Sequence, residues 1–282
     1  MGFESLPIDP GRGGQLARFR ERSRGPIRVH RHLELEFNLV VAGKGRYLVD
    51  NRRVELSPWT LIWLYPDQDH LLLETSDDFD MWIAVFSRGL LKWACRTPWS
   101  RELRGRSPRG LFCKQLRRDR GSELSHRLEA VHGVVDQADR FRAGLAEALL
   151  VAWHEHEHAL RVEDADVHPA VERAARLIRD RADDPGLEAL AQEAGLSPSH
   201  LSRLFKRQLG MSLASFRQRQ RLERFFECYG QGGRHNLTEA AYAAGFGSYA
   251  QFHRVFKRHV GISPAAYRRN LEAPATYPPQ ER

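Results

Sequence analysis

The spacing of apolar residues changes along this chain from the period of strands to the period of helices. Between residues 28 and 86, turn signals separate short apolar-rich runs that read RYLVD, VELSP, TLIWLYP, LLLET and MWIAVF. Several short strands at this spacing predict a β-sandwich or small barrel. From residue 122 onward apolar residues recur every three or four positions, as at Leu124, Leu128 and Val131, which predicts helices. We therefore predict an α+β protein in which the strands precede most of the helices.

The helical half contains an internal repeat. Residues 194–212 read AGLSPSHLSRLFKRQLGMS, and residues 244–263 read AGFGSYAQFHRVFKRHVGIS. The matching positions are 50 residues apart at Gly195 and Gly245 and 51 apart from Leu201 onward, so the second copy carries one extra residue. Two copies are too few for a solenoid, which needs about three repeats to bury a continuous core. The repeat therefore predicts one small module that is used twice for the same task.

Each copy has the pattern of a helix-turn-helix. Gly195 and Gly245 each follow an apolar helical stretch and predict its end. Ser197 and Pro198 predict the start of the next helix, with a hydroxyl at the N-cap and proline at the first helical position. That next helix carries its polar residues on one face in both copies. They are Ser199, His200, Ser202, Arg203 and Lys206 in the first copy, and Tyr249, Gln251, His253, Arg254 and Lys257 in the second.

The positive charge of the chain coincides with this repeat. The formal net charge is +8, and residues 168–271 alone hold 17 Lys or Arg against 9 Asp or Glu. Residues 1–167 are close to neutral, with 26 basic and 25 acidic residues. A polar helix face can be ordinary solvated surface, but a basic face on a helix-turn-helix is the electrostatic pattern of a nucleic-acid-binding protein. The charge distribution therefore favours DNA binding over plain surface.

The C-terminal region resembles the DNA-binding region of AraC/XylS-type transcriptional regulators. The resemblance covers about residues 168–271 and is carried by LSPSHLSRLFKRQLGMS, SFRQRQRLER, LTEAAYAAGF and FHRVFKRHVGISPAAYRR. It implies two helix-turn-helix units joined by one long helix at about 212–229, with the two polar faces above in successive major grooves. It also implies a ligand-responsive regulator that binds double-stranded promoter DNA and RNA polymerase as a homodimer. Departures from the family pattern are Gly232-Gly233, Phe225-Phe226 and Cys228.

The N-terminal region resembles the cupin barrel found in front of many such regulators. The resemblance covers about residues 20–90 and is carried by a first motif of His30, His32, Glu36 and Gly43 and a degraded second motif of Pro66 and His70. Cupin enzymes hold a divalent metal with such residues, and imidazole and carboxylate groups suit zinc, iron, manganese or nickel. The same residues could instead line an effector site without metal. The candidate effector residues are His30, His32, Glu36, Tyr47, Trp63, Tyr65, His70 and Trp82.

These patterns predict a cupin-like sensing domain with an N-terminal arm over residues 1–120 and a helical region over 121–165. The DNA-binding domain is predicted over 166–271, with a tail over 272–282. The stripes within 121–165 could dimerise or could pack on the barrel. A second pair of hypotheses is a metal-dependent cupin enzyme fused to a DNA-binding module, or a ligand-independent regulator whose barrel only dimerises. We expect no catalytic residues, and a cytoplasmic location without membrane span, because no signal core and no run of about 18 apolar residues is present.

Overall fold

The computed structural model describes residues 8–20, 33–50, 52–66, 68, 70–105, 112–162, 164–181, 185–230 and 236–272. Contacts within the chain separate two compact units. Of the described residues, the first unit contains those up to Glu172 together with Leu204–Met211, and the second contains Arg173–Arg203 and those from Ser212 onward. Each unit has its own hydrophobic core. Within the described residues, none of the helices is both long and apolar enough to cross a membrane.

The first unit consists of two antiparallel sheets. Their strands are β1 (Gly14–Arg20), β2 (Leu35–Ala42), β3 (Gly45–Val49), β4 (Arg52–Leu56), β5 (Thr60–Leu64), β6 (His70–Thr75), β7 (Asp80–Phe86), β8 (Phe112–Gln115), β9 (Leu160–Arg161) and β10 (Asp164–Asp166). One sheet has the order β1-β7-β2-β5-β8-β9, and the other has the order β10-β4-β3-β6. The described strands thus form a sandwich of two sheets, so the first of the two predicted alternatives is confirmed, and the cupin-like barrel of the resemblance is not closed.

Helices cover the outer face of the six-stranded sheet. They are α1 (Arg88–Ala94), α2 (Arg118–His132) and α3 (Ala138–His158), with a short 3-10 helix at Arg101–Arg104. Side chains of β2, β5 and β7 that point toward α2 and α3 form one continuous core with them, and this core includes Phe37, Leu39, Trp63, Trp82, Leu124 and Leu149. The helices predicted over 121–165 therefore pack their apolar stripes on the sheet, which is one of the two alternatives given for them above.

The second unit is helical throughout its described residues. The helices from residue 169 onward are α4 (Pro169–Asp180), α5 (Leu187–Ala194), α6 (Pro198–Leu209), α7 (Leu213–Gly230), α8 (Leu237–Ala243), α9 (Tyr249–Val260) and α10 (Pro264–Glu272), of which the first turn of α4 and the second half of α6 are grouped with the first unit. The two copies of the repeat are α5 with α6 and α8 with α9. The long helix that joins them is α7, close to its predicted position.

The turns of the two copies share one backbone geometry. Gly195 and Gly245 have φ of +71° and +87°, in the left-handed region that ends helices. The amide of Leu196 donates to the carbonyl of Ala191, and the amide of Phe246 donates to the carbonyl of Ala241. The structure thus confirms the predicted helix end in each copy.

Aromatic residues of α7 form the core of the second copy. Phe225 lies 4.5 Å from Phe252 between ring centroids, and Phe226 lies 5.6 Å from Phe256. Both rings of the Phe225-Phe226 pair are buried in a cluster with residues of α8 and α9. The departure from the family pattern at these positions is therefore a larger aromatic core.

Arg224 of α7 forms hydrogen bonds with the C-terminal end of α4. Arg224 Nη1 donates to the carbonyl oxygen of Arg181 at 2.6 Å and to that of Ile178 at 3.3 Å. The last carbonyls of a helix lack partners within the helix, so a side-chain donor satisfies them. This contact helps to fix the direction of α4 relative to α7.

The histidine-rich end of α3 is divided between core and solvent. His154 and His158 are exposed, and the Nδ1 of His158 lies 2.9 Å from the carbonyl oxygen of His154. His156 points the other way, is buried, and stacks on Trp153 with ring centroids 5.4 Å apart. Burial, and secondarily the charge of Lys114, lowers the pKa of His156 to about 3.

Replacement of Gly43 by alanine should destabilise the first unit. Gly43 lies between β2 and β3 with φ of +75°, and an added Cβ would approach the backbone Cα of Phe79 to 2.6 Å. The left-handed backbone alone costs an L-residue about 1–2 kcal/mol, and the clash adds to this. Urea unfolding measures the effect. Gly89→Ala is the control, because its nearest atom is 3.7 Å away and its backbone is helical, so its stability should be unchanged or slightly higher.

The burial of His156 should make stability fall as the pH is lowered. The folded state keeps this ring neutral down to a pKa of about 3, while the unfolded state takes up a proton near 6.5. The contribution of His156 to the free energy of unfolding is therefore fully present above about pH 6.5. It falls as the pH is lowered, by about 2 kcal/mol between pH 7 and pH 5. Urea unfolding at the two pH values should show a smaller fall for His156→Phe than for wild type. A fall of the same size in His156→Phe, or one changed equally by His154→Asn, would contradict this assignment.

Candidate DNA-reading and effector-binding sites

The second helix of each copy presents a polar face to solvent. On α6, the side chains of Ser199, His200, Arg203 and Lys206 are exposed and Ser202 is half-buried. On α9, Arg254 and Lys257 are exposed, while Tyr249, Gln251 and His253 are half-buried. The apolar residues of both helices point inward, and Leu201, Phe205, Phe252 and Phe256 are fully buried. The structure thus separates the ten predicted DNA-reading residues from the cores of their helices.

Serine caps begin both of these helices. The amide of His200 donates to Ser197 Oγ at 3.4 Å, and the amide of Gln251 donates to Ser248 Oγ at 3.2 Å. α6 begins at Pro198, which has no amide to satisfy. The predicted start of α6 is confirmed, and α9 has the matching cap.

The extra residue of the second copy changes how Gln251 is held. Gly247 is the added residue, and its amide donates to Gln251 Oε1 at 3.1 Å. A glutamine reads adenine bidentately through its carbonyl oxygen and its amide nitrogen together. Because the oxygen already holds the turn, the side chain of Gln251 is fixed at the start of α9 with its Nε2 left to donate.

The inner faces of the two sheets meet around polar residues. Phe37 and Leu39 of β2 point to the helices, so the alternation of a strand turns Glu36 and Asn38 toward the other sheet. Tyr47 of β3 faces them, because its hydroxyl oxygen lies 3.0 Å from Asn38 Nδ2. His70 of β6 pairs with Val49, two residues along β3 from Tyr47, and so shares that face. We call this space between the sheets the inter-sheet recess.

Asn38 is the centre of this polar group. Its Nδ2 donates to Glu36 Oε1 at 2.7 Å and to the Tyr47 hydroxyl at 3.0 Å. All three side chains are less than 5% exposed. Within the described part of the chain, Asn38 Oδ1 is buried and has no hydrogen-bond donor. An unfilled buried acceptor of this kind is uncommon and calls for a partner.

The strand register shows that three of the predicted effector residues do not face the inter-sheet recess. Trp63 and Trp82 lie on the same face of their strands as Phe37 and Leu39, and they pack on α2 and α3. Tyr65 belongs to the same core, and burial raises the pKa of its hydroxyl. These three aromatic residues are therefore on the opposite side of the sheet from Glu36, Asn38, Tyr47 and His70. Their period-2 spacing within an apolar run gave no sign of which face they occupy.

The predicted metal ligands are only partly within the described residues. His30 and His32 lie outside them. Glu36 and His70 are both buried in the first unit, and His70 Nδ1 lies 3.1 Å from the carbonyl oxygen of Gln68. Among the described residues, no three His, Cys, Asp or Glu side chains come close enough to hold a metal ion. The divalent metal remains a prediction of the sequence.

Asn38 is a site residue that the sequence analysis missed. It stands inside the run LEFNLVVA. Asn38 follows Glu36 by two residues in a strand whose other residues are apolar, and this pair is informative because burial of polar groups costs free energy unless hydrogen bonds compensate.

Two family models match the chain, one on each unit. Residues 13–153 match the AraC-like ligand binding domain, which covers the two sheets and the helices α1 to α3. Residues 190–270 match a helix-turn-helix domain, which covers both copies of the repeat.

Several bacterial regulators are similar in sequence. The arabinose operon regulatory protein of Escherichia coli (strain K12) is 35% identical over 104 residues, which are 36% of this chain and 35% of that protein. Its counterpart in Salmonella typhimurium is 32% identical over 40% of this chain and 42% of its own length. The chain thus aligns with less than half the length of these two relatives. An HTH-type transcriptional regulator of Bacillus subtilis is 25% identical over 257 residues, which are 85% of this chain and 78% of that protein.

Solved structures of related type are also similar. ToxT from Vibrio cholerae O395 aligns over 90% of this chain and 96% of its own, with 14% identity and a TM-score of 0.39. The C-terminal domain of AraT from Geobacillus stearothermophilus aligns over 42% of this chain and 97% of its own, with 28% identity and a TM-score of 0.35.

Arginines on the two exposed faces should contribute base preference. We expect Arg203→Ala or Arg254→Ala to weaken binding by about 1–3 kcal/mol and to relax the preference at one base pair, because arginine pairs bidentately with guanine. Binding sites are first selected from random DNA with the wild-type protein, and affinities are then measured on single-base variants of the selected site. Arg269→Ala removes the same charge from α10 and should weaken all variants equally. A uniform loss for Arg203→Ala and Arg254→Ala as well would show that they contact only phosphate.

Proposed function

Because this chain belongs to the AraC-type family of transcriptional regulators, we propose that it regulates transcription by binding specific promoter DNA in response to a small molecule. The observation that supports this most directly is the pair of exposed basic helix faces on two helix-turn-helix units of matching geometry. Each face is held by the same left-handed turn and the same serine cap. Helices that only cover a protein surface do not require the same turn and the same cap in two copies.

The DNA contacts that we propose are divided between the two copies. In the first groove they are made by Ser199, His200, Ser202, Arg203 and Lys206, and in the second by Tyr249, Gln251, His253, Arg254 and Lys257. Arginine, glutamine, serine and histidine can address base edges, while the lysines suit phosphate. Contacts with phosphate release counterions, so the affinity should fall steeply as salt is added.

The effector is proposed to bind in the inter-sheet recess. Glu36, Tyr47 and His70 retain their predicted role there, and Asn38 joins them. Polar side chains that converge in an otherwise apolar interior are typical of small-molecule sites. His30 and His32 would complete the predicted set, and with Glu36 and His70 they are also the proposed ligands if a divalent metal binds.

The regulator is proposed to act as a homodimer that also contacts RNA polymerase. The outer surfaces of α2 and α3 are the surfaces offered for dimerisation. They carry exposed charged pairs, among them Arg127 with Glu147 at 2.7 Å, which suit a polar interface. Two protomers would occupy repeated sites in a promoter. A catalytic role is not part of the proposal.

Each of the two helix faces should protect its own stretch of DNA. Successive major grooves on one side of the duplex lie about 34 Å apart, so one protomer should give two protected patches about 10 bp apart. Hydroxyl-radical footprinting of the full chain on a selected site measures this. Arg203→Ala should weaken one set of patches, and Arg254→Ala should weaken the other.

Protection that both variants weaken in the same place would mean that only one copy reads DNA. No site-specific protection for the wild-type protein on selected DNA would contradict the proposed function itself.

A further inference from the structure

The hydrogen bonds of Asn38 at the inter-sheet recess show which of its two polar side-chain atoms lacks a partner within the described residues. Asn38 Nδ2 faces Glu36 Oε1 at 2.7 Å, and a carboxylate oxygen only accepts hydrogen bonds. The atom of Asn38 that faces Glu36 must therefore be its nitrogen. Both hydrogens of that nitrogen are used, on Glu36 and on Tyr47. The carbonyl oxygen is left pointing elsewhere, buried and without a donor in the described part of the chain.

The inner face of the six-stranded sheet is more exposed toward its edge strand β1 than at Asn38. Along the six-stranded sheet, Asn38 of β2 pairs with Ile83 of β7, and Ile83 pairs with Ala17 of the edge strand β1. All three side chains point to the same side of the sheet, away from α2 and α3. Asn38 is fully buried, Ile83 is half-buried and Ala17 is exposed. The inner face of the sheet thus becomes accessible toward β1, which gives a small molecule a route to Asn38.

From this arrangement we infer that the recess binds a small neutral or cationic molecule that donates a hydroxyl or amine hydrogen to Asn38 Oδ1. This inference rests on the proposed function, because it names the chemistry of the effector. A donor in the ligand completes the buried acceptor. An apolar ligand leaves the acceptor unfilled. A carboxylate brings no donor for Asn38 Oδ1 and leaves this acceptor unfilled as well.

The ligand class is tested on the full-length protein without DNA. Its melting temperature is measured with a panel of five- and six-carbon polyols and monosaccharides, with amines and amino alcohols of similar size, and with the matching carboxylates. Hydroxylated or amine-bearing probes should raise the melting temperature, and the carboxylates should not. The first two arms of the panel distinguish a hydroxyl donor from an amine donor. Stabilisation by carboxylates alone, or by none of the donor-bearing probes, overturns the inference.

Two variants locate the bound probe. Asn38→Leu keeps the size of the side chain and removes the acceptor together with the donors to Glu36 and Tyr47, so the Kd of the stabilising probe should rise about three- to tenfold. Tyr65→Phe removes a buried hydroxyl on the opposite face of the same sheet and should leave the Kd unchanged. Unchanged affinity in Asn38→Leu overturns the inference.

A second pair of variants does not depend on a buried position. Ala17→Trp places a large ring at the exposed end of the recess and should weaken binding of the probe. Arg20→Trp places the same ring on the same strand, three residues away and on the other face, and should not. Equal effects of the two changes overturn the placement of the ligand. If the wild-type protein selects no specific sites from random DNA, the proposed function is contradicted, but the measured binding of the probe is unaffected. Failure of the proposed function and failure of this inference are therefore distinguishable.

Discussion

Strand β2 is buried on both of its faces, and the first unit depends on this constraint. Its residues from Leu35 to Val40 are all buried. One face supplies Phe37 and Leu39 to the core that holds the helices, and the other supplies Glu36 and Asn38 to the recess. A strand in this position satisfies its backbone through both neighbours, β5 and β7. Its polar side chains cannot reach water freely, so they must find partners within the recess or in a ligand.

The C-terminal helical region depends on a different constraint, because the same helix-ending and helix-starting features occur in both copies of the repeat. A left-handed glycine ends the first helix of each copy, and a serine begins the second. The copies then diverge where their surroundings differ. Gly247 lengthens the second turn and takes the side-chain oxygen of Gln251, which the first copy has no residue to match. The larger rings of Phe225 and Phe226 fill the space under α9. The two faces are therefore similar in position but should differ in the bases they read.

Sequence alone was sufficient for features that local chemistry determines. The ends of the repeated helices follow from glycine and serine at fixed places, whereas the joining helix is what the family resemblance implies. The sensor residues were harder, because an apolar run such as TLIWLYP is buried on both faces and alternation gives no direction. Trp63, Tyr65 and Trp82 are therefore named as candidate effector residues from the sequence, while the structure places them in the core shared with the helices. His156 was hidden between two exposed histidines, since only the packing of α3 shows which of the three points inward. Asn38 was missed because the cupin-like motif includes Glu36 but has no position for Asn38, two residues later on the same face of the strand.

The two-sided burial of β2 also offers the proposed regulator a physical connection between effector and helices. Glu36 and Asn38 alternate with Phe37 and Leu39, so adjacent residues of one strand touch the recess and the helix core. In this proposal a ligand that completes the acceptor of Asn38 would stabilise one position of the strand, and with it the packing of α2 on the other face. Ligands shift an equilibrium only by their difference in affinity for the two states. In the proposed regulator, a state in which Asn38 Oδ1 faces the ligand would bind it more tightly than a state in which it does not, and this would supply such a difference within the sensor. The position of one asparagine in β2 can thus bring both recognition of the effector and the response of the helices into a single strand.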